Sequence, residues 1–148
     1  MLSVLPDALL VRTGPIFSPW DRENFAFRIL ADVAAGRPPR ISSGARISPT
    51  YLPDLIHVGL DLLIDGDRGI RHLANDGSIT HPDLVAELCR RAGLAPPLPS
   101  SSTEIRSHAL ATERGALMPP LHSALDRFVA DCEPDWRLGD GVLRVAAE

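Results

Sequence analysis

The chain has 148 residues, 45% of them hydrophobic, a length and apolar content that suit one compact domain with its own core. Its 15 basic residues are all arginine and lie scattered among 19 acidic ones for a net charge of -4, so the basic stripe that nucleic-acid binding needs is missing. No stretch approaches the roughly 20 apolar residues of a membrane span, and the apolar start is broken by Pro6 and Asp7 with no basic residue before it, which predicts no signal peptide.

In chain order, Ala8 to Arg12 is a short apolar run between Pro6 and Gly14 and reads as a buried strand. Asp21 is placed to cap a helix over Arg22 to Ala35, whose apolar positions Phe25, Ile29, Leu30 and Val33 recur at three and four, with Gly36 as its left-handed stop. After the break at Pro38-Pro39, Arg40 to Ser42 has room for a few residues of strand. A second helix opens near Tyr51, tolerating Pro53 in its first turn and placing Asp54 at the positive end of the dipole. It buries Leu55, Val58, Gly59, Leu62 and Leu63 and ends at Gly66.

Ile70 to Ala74 reads as a strand. Thr80-His81-Pro82-Asp83 then opens a third helix, with Thr80 as cap, proline in the first turn and an acid at the third position; Leu84, Val85, Leu88, Cys89 and Ala92 make its apolar face and Gly93 stops it. Ala95 to Ser102, rich in Pro and Ser, is a surface excursion. A last helix from Pro120 buries Leu121, Leu125, Phe128, Val129 and Cys132, and residues 133–148 form a weakly structured tail behind a domain over residues 1–132. Cys89 and Cys132 occupy apolar helix positions and read as free buried thiols, which favours a reducing cytoplasm.

The class is therefore α/β with about three short strands and four helices, fewer strands than a doubly wound sheet normally shows. None of the 11 glycines forms the Gly-x-Gly-x-x-Gly turn that brings a backbone up to a pyrophosphate, and the chain has no lysine, which also excludes a phosphate loop. The five histidines show no metal-ligand spacing, so no metal site is expected. His57 and Asp61, one turn apart, read as a surface pair.

Four blocks follow one another in a recognisable order: Arg12-Thr13 at a strand end, Pro19-Trp20-Asp21 leading to Asn24-Phe25, Ser48-Pro49-Thr50-Tyr51 with Asp54-Leu55, and His72-Leu73-Ala74-Asn75. In order and spacing they resemble the substrate-binding, carboxyl-terminal half of the dTDP-4-dehydrorhamnose reductases, which are extended short-chain dehydrogenases. The likeness is strongest to modules fused behind glycoside hydrolases, which carry a similar Glu113-Arg114-Gly115 segment as well.

The resemblance implies the smaller, substrate-binding lobe of an NAD(P)-binding Rossmann-type enzyme. It also implies a dTDP-linked sugar as ligand, NADPH for the complete enzyme but no cofactor on this chain alone, and a missing Rossmann half in the same or another chain. The Tyr-x-x-x-Lys pair of such reductases cannot be present without lysine, so no catalytic residue is expected here; Tyr51 is the only tyrosine and is followed four positions on by Leu55. The chain also departs from the family at Pro15, at Gly44-Ala45 and at Glu104 to His108, where the family carries polar substrate contacts.

The expected substrate residues are Arg12, Trp20, Asn24, Phe25, Arg46, Ser48, Thr50 and Tyr51. A strand end and the helix starts near Asn24 and Thr50 would face one crevice, where free amides and positive dipole ends suit a diphosphate. Arg12 or Arg46 would then grip phosphate, Asn24 would offer its amide, and Trp20 or Tyr51 would give a base or sugar a flat surface. Each also has an ordinary reading, as a solvated arginine, a turn asparagine or a packed aromatic. The alternative function is a non-catalytic binding or interaction module with an eroded pocket. In either case an isolated half leaves apolar surface and a strand edge uncovered, which predicts self-association.

Overall fold

The computed structural model describes residues 7–40, 46–97 and 117–132. In chain order these form β1 (Leu9–Thr13), β2 (Ile16–Phe17), α1 (Phe25–Ala34), β3 (Arg46–Ile47), β4 (Thr50–Tyr51), α2 (Leu52–Ile64), β5 (Gly69–Leu73), β6 (Ile79–Thr80), α3 (His81–Ala92) and α4 (Leu121–Cys132). The strands pair two by two. β1 and β5 run parallel with Leu9 opposite Gly69 and Thr13 opposite Leu73, β2 and β4 are parallel, and β3 and β6 are antiparallel.

The local signals place the helices well. Thr80 caps α3 by accepting from the Asp83 amide, and Gly93 closes it at φ +67°, a left-handed geometry that suits glycine. Gly36 and Gly66 take the same geometry just past α1 and α2. One start is displaced: α1 is capped by Asn24, not Asp21, because the Asn24 Oδ1 accepts from the amides of Ala26 and Phe27, each at 3.0 Å. Asp21 serves a turn just before it, accepting from the Glu23 amide at 2.8 Å.

The core lies among α1, α3 and α4, with Phe17 of β2 and Tyr51 of β4 at its centre. Phe17 meets Phe128 edge to face, the rings 5.2 Å apart at 82°. Burying a side chain of this size stabilises by roughly 1.5–3 kcal/mol. Cys89 and Cys132 are both buried in the core as thiols outside any disulfide, and burial pushes the Cys89 thiol up.

The expected buried stripe of α2 is not found. Its only buried residue is Asp54, while Leu55, Val58, Gly59 and Leu62 are partly exposed and Leu63 is 59% exposed. The reason is the position of the helix: no residue of β1, α2 or β5 belongs to the core cluster, so these three elements stand to one side of it. Of the Arg40 to Ser42 expectation, Arg40 lies in no strand and Ile41 and Ser42 fall outside the described residues, as does the tail over 133–148.

Candidate functional site

The carboxyl end of β1 is sewn to the Ser48–Thr50 turn. The Gly14 amide donates to the Thr50 Oγ1 at 3.1 Å, and the Thr50 amide donates to the Pro15 carbonyl at 2.8 Å. Gly14 is required there, since a Cβ would run into the Ser48 carbonyl oxygen. Ser48, Pro49 and Thr50 are all buried as a result.

The end of β5 is tied into the same place by Asn75. Its Oδ1 accepts from the Tyr51 amide at 2.7 Å, and its Nδ2 donates to the Asp54 Oδ2 at 2.7 Å and to the Pro119 carbonyl at 3.0 Å. Asp54, buried at the start of α2, receives both guanidinium nitrogens of Arg127 from α4, at 2.6 and 2.7 Å. That guanidinium lies 5.2 Å above the Tyr51 ring, and the Tyr51 hydroxyl donates to the Asp131 Oδ2 at 2.8 Å. The motif residues Tyr51, Asp54 and Asn75 are thus one hydrogen-bonded unit locked by two side chains one turn apart on α4.

The electrostatics follow from this wiring. Burial pushes the Asp54 carboxyl up, but the hydrogen bonds from Arg127 and Asn75, with the charge of Arg127, outweigh it and hold the group below its ordinary 3.8. Burial, followed by the bond to Asp131, pushes the Tyr51 hydroxyl far above its ordinary value. The Tyr51 hydroxyl therefore stays protonated at neutral pH and acts in the unit as the donor to Asp131. Its ring packs against Phe17 and Phe128 and is 1% exposed.

The other expected residues lie around α1 and on the surface. All polar atoms of the Asn24 side chain are engaged, the Nδ2 donating to the Ser18 carbonyl at 2.7 Å and also to that of Asp21. Phe25 is half-buried, edge-on to Phe17. Trp20 is 73% exposed. Arg46 is exposed and donates to the Ser78 Oγ at 3.0 Å and the Ser78 carbonyl at 2.6 Å, while Arg12 is exposed on β1.

A groove of about 310 Å³ runs along α1, lined by Phe25, Arg28, Ile29, Asp32, Arg40 and His81 among others; of the eight expected residues only Phe25 reaches it. Burial pushes His81 down, which keeps it neutral at pH 7. Two clusters result: Ser48, Thr50 and Tyr51 around Gly14, and Trp20, Asn24 and Phe25 at the start of α1. The sequence alone does not single out Arg127 and Asp131. Their one-turn spacing on an otherwise amphipathic helix is a signal, but it matches many surface pairs.

Among the described residues no group of His, Cys, Asp or Glu is arranged to hold a metal, and no helix is long and apolar enough to cross a membrane.

No family model and no curated protein matches the chain. Solved structures do. A dTDP-4-dehydrorhamnose reductase from Clostridium acetobutylicum superposes with a TM-score of 0.72 at 18% identity, over 84% of this chain and 49% of that one. The reductase of that name from Bacillus anthracis, in complex with NADP, gives 0.70 at 22% identity over 84% and 48%. A dTDP-glucose 4,6-dehydratase from Bacillus anthracis, in complex with NAD, gives 0.69 at 11% over 86% and 46%. The chain thus has an α/β fold that matches part of the Rossmann-like fold of these solved structures. It spans about half the length of these solved chains, among which dTDP-4-dehydrorhamnose reductases recur.

Proposed function

We propose that this chain is the nucleotide-sugar-holding portion of a dTDP-4-dehydrorhamnose reductase-like oxidoreductase, and that it does not turn over alone. One observation carries the reading: the chain matches about half of several such reductases in fold, and two of the four blocks of its sequence that resemble them, 48–55 and 72–75, meet through the Tyr51–Asn75–Asp54 contacts.

In the complete enzyme, NADPH would supply hydride to the C4 ketone of the sugar, giving dTDP-rhamnose for cell-surface polysaccharide. The cofactor and the proton donor would belong to a Rossmann half, on the same chain or another, which would extend the β1–β5 pair, since parallel sheets are stable only as part of a larger covered sheet. This chain's part is to bind and orient. The network around Asp54 fixes the Ser48–Thr50 turn, and Asn24 fixes the start of α1. The exposed Trp20 indole, Phe25 and the Arg12 guanidinium would meet base, sugar and phosphate, with Arg46, which donates to Ser78, alongside. Buried thiols outside any disulfide suit the cytoplasm, and the sequence suits a module fused behind a glycoside hydrolase.

Calorimetric titration with dTDP-glucose tests the reading. Saturable heat is expected, weakened roughly tenfold by Trp20→Ala. No heat at millimolar ligand with folded protein would remove it.

A further inference from the structure

The groove along α1, of about 310 Å³, has the size at which small-molecule sites begin, about 300–1,000 Å³. Its floor is apolar, formed by the half-buried Phe25 ring and the buried Ile29. Two arginines, Arg28 and Arg40, and two carboxylates, Glu23 and Asp32, stand around it; with the His81 imidazole kept neutral by burial, the lining carries no net charge. Such a lining does not suit a phosphate, which both carboxylates would repel. It suits a flat, neutral ring that donates as well as accepts.

Arg28 and Asp32 lie four residues apart on the face of α1 that lines the groove, yet they are not paired with each other. Arg28 reaches Glu23 at 3.7 Å, and Asp32 accepts from Arg37 through Oδ1. We propose that this groove holds the base of the nucleotide sugar, and that it selects bases with a ring carbonyl beside a ring N–H, as in thymine, uracil and guanine. Arg28 donates to the carbonyl, Asp32 accepts from the N–H, and Phe25 and Ile29 cover one face of the ring. Adenine carries an amino group in place of that carbonyl and a bare nitrogen in place of that N–H, so it meets both side chains with the wrong partner. Phe25 belongs both to the groove and to the cluster with Trp20 and Asn24, so a base seated in the groove places the diphosphate at the start of α1. The inference rests on the nucleotide-sugar reading and names the residues that choose the base.

Calorimetric titration of the full chain with dTDP-glucose and with ADP-glucose tests it. The parent is expected to bind dTDP-glucose at least about tenfold more tightly, and Arg28→Met and Asp32→Ala are each expected to weaken dTDP-glucose about tenfold while leaving ADP-glucose unchanged. If Arg28→Met does not fold, Arg28→Lys decides, since it keeps the charge but not the planar fork and is expected to lose the preference as well. Arg37→Met breaks the ion pair to Asp32 without touching the groove, and is expected to keep the preference. Binding of dTDP-glucose no tighter than ADP-glucose, or unmoved by the Arg28 and Asp32 variants, would overturn the inference and leave the nucleotide-sugar reading standing. Loss of the preference in Arg37→Met to the same extent as in Asp32→Ala would overturn it too, by making the role of Asp32 structural. No heat from either ligand would remove both.

Discussion

Replacing Arg127 by methionine removes the guanidinium paired with a buried carboxylate. The Asp54 side chain is 8% exposed and the Arg127 side chain 41%. Breaking a fully buried pair costs about 3–5 kcal/mol, an exposed one about 0–1 kcal/mol. With the anion buried and the cation half in water, Arg127→Met should cost about 2–3 kcal/mol, which lowers Tm by roughly 5–10 °C in a domain of this size. The asymmetry is itself diagnostic: Asp54→Asn leaves only a half-exposed guanidinium unpaired, so it should cost less than Arg127→Met.

The pH dependence follows the same logic. The folded carboxyl of Asp54 is held below its unfolded value, so its contribution is fully present above the unfolded pKa of about 3.9 and is lost as pH falls through the folded value. In Arg127→Met burial still pushes the carboxyl up, and this part of the acid sensitivity should shrink or invert. Urea unfolding at pH 7 and below pH 4 on the three proteins measures both effects. A cost below about 0.5 kcal/mol for Arg127→Met, or an Asp54→Asn variant less stable than it, would refute the reasoning.

Two further substitutions probe how the end of β1 and the start of α1 are held. Gly14→Ala should abolish soluble expression or cost several kcal/mol, because its Cβ collides with the Ser48 carbonyl and backbone cannot step aside as a side chain can; a melting curve like that of the parent would contradict this. Asn24→Ala removes the cap of α1 together with its buried bond to Ser18, and should cost about 2 kcal/mol by denaturant titration. Asn24→Asp, which retains the capping oxygen, should recover part of that loss.

What could be read from sequence follows the range of the forces involved. α3 is legible because Thr80, Pro82, Asp83 and Gly93 act within a turn or two of themselves. β2, β3, β4 and β6, of two residues each, carry no periodicity and exist only through partners far along the chain, as when Ile16 pairs with Thr50. The motif residues Tyr51, Asp54 and Asn75 were visible as a resemblance, but their wiring was not: Asp54 and Arg127 are 73 positions apart, and no local rule selects that arginine from 15. α2 shows a different limit. Its apolar pattern gave the helix correctly, but pattern alone cannot say whether a second layer covers the face it marks.

Saturation-transfer NMR on the 148-residue chain with a dTDP-linked sugar asks most directly whether this is the half that holds substrate. Transfer to both thymine and sugar protons, competed away by free dTDP, is the result expected. A folded chain that transfers saturation to neither would contradict the account.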